Sequence, residues 1–112
     1  MSERQDVVVA GGGYVGLSLA LALKAADPGL SVAVVEPKPP AALRRDGRAS
    51  AVASAARAML DRLGVWSSIA PAAQPITEMV VTDSRVGDAV RPVFLTFGGA
   101  LEDGTPFAHM VP

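Results

Sequence analysis

Three glycines and one acid carry most of the chemistry readable in this 112-residue chain. Gly11-x-Gly13-x-x-Gly16 follows the apolar run Val7-Val8-Val9-Ala10 directly. Gly11 lets the chain turn sharply, using backbone angles that a Cβ would penalise. Gly13 leaves the backbone bare where an anion can reach the free N–H groups and the positive end of a helix dipole. Gly16 allows close packing, and Ala20 keeps the same face small one turn on. Glu36 follows about 20 residues after Gly16, closing a second apolar run, Ser31-Val32-Ala33-Val34-Val35. A carboxylate there accepts hydrogen bonds from both hydroxyls of an adenosine ribose and repels a 2′-phosphate. The constellation therefore predicts a site for the ADP half of FAD or NAD(H), rather than NADP(H).

Other reactive side chains are sparse. His109 is the single imidazole; it sits in an apolar run with no partnering carboxylate, which favours a structural or solvated role. Arg44 and Arg45 read as solvated loop cations. Glu102 and Asp103 adjoin Gly104 and read as turn residues. Trp66, Phe94, Phe97 and Phe107 read as packing residues. There is no cysteine, so disulfides and thiolate metal sites are excluded, and no His/Asp/Glu cluster has metal-ligand spacing. No side chain stands out as catalytic.

The elements that must position the glycines and the acid follow from periodicity and breakers. The order is strand, glycine turn, helix, strand, acid. The first helix is expected over Tyr14–Ala26, stopped by Asp27-Pro28-Gly29. Pro37-Lys38-Pro39-Pro40 must be loop. Ser50 is expected to cap a second helix over residues 51–63, closed by Gly64. Val52, Ala56, Met59, Leu60 and Leu63 would form its core face. A short helical turn is expected near Val65–Ala70, then a linker between Pro71 and Pro75. Beyond Ile76 the pattern changes to consecutive strands around Met79–Val81, Val93–Phe97 and Thr105–Val111. Asp83–Asp88 and Glu102–Gly104 supply turn chemistry between them. The predicted fold class is α/β: the N-terminal part of a Rossmann-like dinucleotide-binding domain over residues 1–75, βαβ plus a helix. The start of a second domain's β-sheet would occupy residues 76–112.

Composition narrows the class further. Half the residues are hydrophobic, enough for one modest core, and the net charge of −1 creates no field that would draw nucleic acid. Val7–Leu23 carries no charge, yet three consecutive glycines would weaken a spanning helix, and the leading Ser2–Asp6 is net acidic where a signal peptide is basic. Both membrane readings are rejected, and a cytoplasmic location is the default. The strands and single crossover make up only part of a doubly wound sheet, so the chain reads as an N-terminal piece of a larger enzyme.

Three segments together carry a family resemblance. They are Asp6–Gly16 with Glu36; Asp46-Gly47-Arg48-Ala49-Ser50-Ala51-Val52 with Leu60–Trp66; and Ile76–Asp83 with Pro106–Val111. With them the chain resembles the N-terminal portion of the FAD-dependent aromatic hydroxylases, and among these the branch that hydroxylates polyprenyl phenols in ubiquinone biosynthesis. The resemblance implies FAD as cofactor, NADH or NADPH as electron donor, and a polyprenyl phenol as substrate. The implied reaction is reduction of FAD, activation of oxygen and hydroxyl transfer to the ring. It also implies that Arg48 approaches the flavin cofactor, where a guanidinium fork suits phosphate or ribose oxygens. A greasy substrate implies peripheral contact of the whole protein with the inner membrane. In such enzymes the cofactor performs the difficult step, so no catalytic side chain need be visible.

Two other classes stay open on the residues alone: an NAD-dependent oxidoreductase fragment whose Glu36 holds the NAD ribose, and a non-catalytic nucleotide-binding module. The 112 residues by themselves are expected to be inactive and to self-associate through exposed sheet edges.

Overall fold

The structure is a computed structural model that describes residues 4–39, 47–98 and 100–112. The expected basic loop at Arg44 and Arg45 lies outside the described residues, as do Ser2, Glu3, Asp46 and Gly99. The architecture is α/β. Two compact units divide the chain, one comprising Met1–Gly47 with Arg62–Gly64 and the other Arg48–Asp61 with Val65–Pro112.

The first unit is a βα β crossover. Strand β1 (Val7–Ala10) runs parallel to β2 (Val32–Val35), in register from Val7 opposite Val32 to Ala10 opposite Val35. The expected helix forms over its whole expected length as α1 (Tyr14–Ala26). Local chemistry ends it: the Asp27 N–H donates to the Leu23 carbonyl, and the Gly29 N–H donates to Asp27 Oδ1 at 2.9 Å. Lys24 Nζ then bridges the Pro28 and Leu30 carbonyls at 2.8 and 2.7 Å, tying the helix end to the approach of β2. Asp6 and Ser31 lock the strand entrances together. The Asp6 N–H donates to Ser31 Oγ, while the Ser31 N–H and hydroxyl both donate to Asp6 Oδ2, all at 2.9 Å. Val9 is the buried residue at the centre of this sheet.

The second unit is antiparallel. Its sheet has the order β3 (Ser50–Ala53), β7 (Ala108–Val111), β4 (Gln74–Ile76), with β7 central. Here the structure corrects the sequence reading. Ser50 does not cap a helix: Ser50–Ala53 is a strand paired with β7, from Ser50 opposite Val111 to Ala53 opposite Ala108. The Ser54 N–H continues the ladder to the Phe107 carbonyl at 3.0 Å, so helix α2 covers only Ser54–Arg62. Ala51 and Ala53 favour helix while Val52 favours strand, so local preference is divided and pairing with a distant strand decides the state. The expected core stripe of this helix is only half covered. Val52, Leu60 and Leu63 are partly buried, whereas Ala56 and Met59 are exposed. Helix α3 (Trp66–Ile69) and a 3-10 turn at Ala70–Ala72 occupy the expected short helical stretch. The expected linker between Pro71 and Pro75 is instead turn followed by strand. Pro75 lies opposite His109 on the edge strand β4, where a missing N–H is tolerated.

Strands β5 (Glu78–Thr82) and β6 (Val93–Gly98) form a separate antiparallel hairpin with an irregularity at Val81/Thr82. Met79 pairs with Phe97 and Val81 with Leu95 on one face, while Val80 pairs with Thr96 on the other. In the connecting loop, the Arg85 N–H donates to Asp88 Oδ2 at 2.8 Å, as its turn residues predict. A second turn uses Gly104 at φ +82° and a bond from the Thr105 N–H to Asp103 Oδ1 at 2.9 Å.

Candidate functional site in the glycine turn

The glycine turn joins the end of β1 to the start of α1, and its backbone explains each glycine in turn. The Gly11 N–H still donates to the Val35 carbonyl at 2.8 Å, extending the β1–β2 ladder by one bond. Gly11 then leaves the strand at φ +109°, a region that L side chains rarely enter. Gly13 is the N-cap of α1, with its carbonyl accepting from the Leu17 N–H at 2.9 Å. No side chain caps this end, and no acid lies in the first turn. The first-turn N–H groups therefore face the turn with no side-chain cap of their own. At Gly16 a Cβ would overlap the Gly11 carbonyl oxygen and press on Val9 Cγ1, so helix and turn can approach only because that residue is glycine.

Glu36 reaches back to this turn from the end of β2. Its Oε2 accepts the Gly12 N–H at 2.8 Å, and its Oε1 accepts the Lys38 N–H at 3.0 Å. These two backbone donors, Gly12 first, hold the carboxyl below the usual carboxylate range, so it is ionised at neutral pH. Gly11, Gly13, Gly16 and Glu36 are thus gathered in the first unit. The fit to a dinucleotide is tested by the space at Gly13: a Cβ built there meets nothing within 4 Å, so the approach to the helix N-terminus is open. An uncapped helix start, an open Gly13 and an ionised acid suit the diphosphate and ribose of an ADP group. Arg48 stands exposed just before β3, belongs to the second unit and is not free.

The pattern reading passed over Gly12, because Gly-x-Gly-x-x-Gly leaves that position unspecified. Its signal was the third consecutive glycine, one more than the turn and the helix start require.

The second unit holds a different cluster. Trp66 and His109 are buried and meet edge to face, ring centroids 5.3 Å apart at 73°. The Arg57 guanidinium lies 5.2 Å from the Trp66 ring centroid. His109 Nδ1 is buried without a hydrogen-bond partner among the described residues. His109 is thus a packed residue of β7, in line with its structural reading, and it is not solvated. Among the described residues no group of three or more His, Asp or Glu could hold a metal ion, and no helix is long and apolar enough to cross a membrane.

A family profile described as FAD-dependent oxidoreductase matches residues 6–98. This chain belongs to the FAD-dependent oxidoreductase family. The match starts at Asp6, where the Ser31 lock begins the βαβ unit, and runs through β6. Among curated proteins, the chain is 41% identical over 109 residues to a ubiquinone hydroxylase, UbiL, of Rhodospirillum rubrum. That alignment covers 95% of this chain and 24% of the relative. It is 39% identical over 72 residues to a second ubiquinone hydroxylase, UbiM, of Neisseria meningitidis, covering 62% of this chain and 15% of that protein. The chain therefore spans about a quarter or less of the length of these relatives. For this family the βαβ crossover with its glycine turn is the Rossmann-like FAD-binding part of the fold, as the sequence predicts.

Proposed function

We propose that this chain supplies the ADP-holding part of the FAD site of a flavin-dependent monooxygenase acting on a polyprenylated phenol in ubiquinone biosynthesis. One observation carries the reading: the ionised Glu36 carboxylate is fixed beside an uncapped helix N-terminus whose approach is open at Gly13. The names of the two relatives, both ubiquinone hydroxylases, support the substrate class. In the whole enzyme, bound FAD supplies the redox chemistry, taking electrons from NADH or NADPH and activating oxygen for transfer to the ring. The residues of this chain bind and orient. The first-turn N–H groups of α1 meet the diphosphate, Gly11 and Gly16 shape the turn, and Glu36 accepts the ribose hydroxyls. Arg48 is assigned a phosphate or ribose oxygen of the same cofactor.

Residues 1–75 are assigned to the FAD-binding domain and 76–112 to the start of the substrate-domain sheet. Peripheral contact of the whole protein with the inner membrane follows from the greasy substrate. The 112 residues alone are expected to be inactive and to bind FAD scarcely better than ADP. Isothermal titration with ADP, FAD, NADH and NADP(H) tests this. ADP, FAD and NADH should bind comparably, with NADP(H) weaker. Preference for NADP(H) would overturn the Glu36 assignment, and binding of NADH with rejection of FAD would favour a dehydrogenase.

A further inference from the structure

We infer that Gly12 is a positioning residue for Glu36: its N–H and its lack of a side chain fix the carboxylate in the pose that reads a ribose diol. The inference rests on the ADP-site reading above, but its core is a geometry internal to the chain. A glutamate side chain has three rotatable bonds, and ordering it costs conformational entropy that the nucleotide would otherwise have to offset on binding. Here the chain supplies that order before any ligand arrives. Gly12 holds Oε2 and Lys38 holds Oε1, one backbone donor on each oxygen, which sets both the position and the plane of the group. Each carboxylate oxygen has a second lone pair, so two acceptor directions remain for two neighbouring hydroxyls.

The contact also explains why position 12 is glycine. A Cβ on Gly12 would lie 3.0 Å from Glu36 Cβ, 3.2 Å from Cγ and 3.2 Å from Oε2. The whole Glu36 side chain is thus laid against the bare α-carbon of Gly12. Gly11 and Gly13 have open space at the same construction, so their glycines serve the backbone and the ligand, whereas Gly12 serves the acid. A branched side chain at this position would drive Glu36 away from the turn and break the Oε2 bond. Diol recognition would then fall while the diphosphate contacts at α1 remain.

Two measurements test this. On the unmodified chain, NMR should show the Gly12 amide proton shifting with the same midpoint as the Glu36 carboxyl, and that shift should vanish in Glu36→Gln. A Gly12 amide that ignores the Glu36 titration overturns the inference, whether or not any nucleotide binds. In Gly12→Val, affinity for ADP should fall about tenfold, the loss expected for one hydrogen bond to a charged group. The preference of the wild-type chain for ADP over 2′-deoxy-ADP should disappear with it. Retention of that preference in a folded Gly12→Val chain also overturns the inference. If Gly12→Val does not fold, the amide titration decides. If the wild-type chain binds no ADP at all, the ADP-site reading fails, and the amide titration still decides the Gly12–Glu36 coupling.

Discussion

Glu36 is an acid whose two oxygens are already in use, and this sets how it responds to substitution and to pH. Glu36→Ala removes the ribose acceptor and leaves the Gly12 N–H unanswered, so ADP affinity should fall about tenfold or more by titration calorimetry. The pH dependence follows from the direction of its shift. A carboxyl held low, by the Gly12 N–H and then the Lys38 N–H, contributes fully above the ordinary carboxylate range and loses its contribution as pH falls through the lowered value. The Glu36 contribution, read as the difference in ADP affinity between wild type and Glu36→Ala so that the titration of the nucleotide's own phosphate cancels, should therefore stay level from neutral pH into the ordinary carboxylate range and drop only below it. An earlier drop would contradict the two-donor geometry. At this scale the sequence is largely legible, because a glycine turn and an acid are read from type and spacing. Gly12 and the burial of His109 are not. The first depends on a contact across 24 positions, and the second on β7 being enclosed by strands far from it in the chain.

Elements that rest on local signals match their expectation, whereas β3, which rests on a distant partner alone, does not. Helix α1 has its own start, its own stop and a lysine that ties off its end, so its limits are readable from residues 13–30 alone. Strand β3 has none of these; Ser50–Ala53 is strand because β7 offers it a partner, a fact encoded near residue 110. The same contrast yields two stability predictions. Asp6→Ala and Ser31→Ala each remove part of the lock at the entrance of β1 and β2, and each should lower the melting temperature by a few degrees. Together they should cost less than the sum, because they share the same bonds; strict additivity in a double-mutant cycle would contradict the lock. Trp66→Ala should destabilise the second unit by about 3–5 kcal/mol in denaturant titration, since it empties a buried indole between Arg57 and His109.

At the scale of the molecule, exposed apolar surface is the dominant feature. Among the described strands β1 pairs only with β2, and a hollow of about 520 Å³ lies between β1 and the first half of α1. Val8, Val15 and Leu19 line it and are 60%, 71% and 50% exposed. The β5–β6 ribbon adds Phe94, Phe97 and Met79, all exposed. An open edge beside such a surface is a template for pairing, so the isolated chain should sediment as dimers or larger species. Val8→Lys should return it toward monomer; a monodisperse wild-type monomer would contradict the assignment. This surface could be anticipated from the apolar runs, but which edge stays open could not, because strand order is set by pairings that no single segment encodes.

The register of the central sheet has one more consequence. Ile76 ends β4 directly opposite Ala108, where β7 begins. Everything from residue 77 to 107, hairpin included, therefore leaves and rejoins the sheet at a single doorway. Such an insert can be lengthened, trimmed or exchanged at small entropic cost, since loop closure depends only weakly on length. The three-stranded sheet would serve as a fixed mount and the hairpin as a replaceable tool. Related chains can then differ most in this stretch while keeping the mount unaltered.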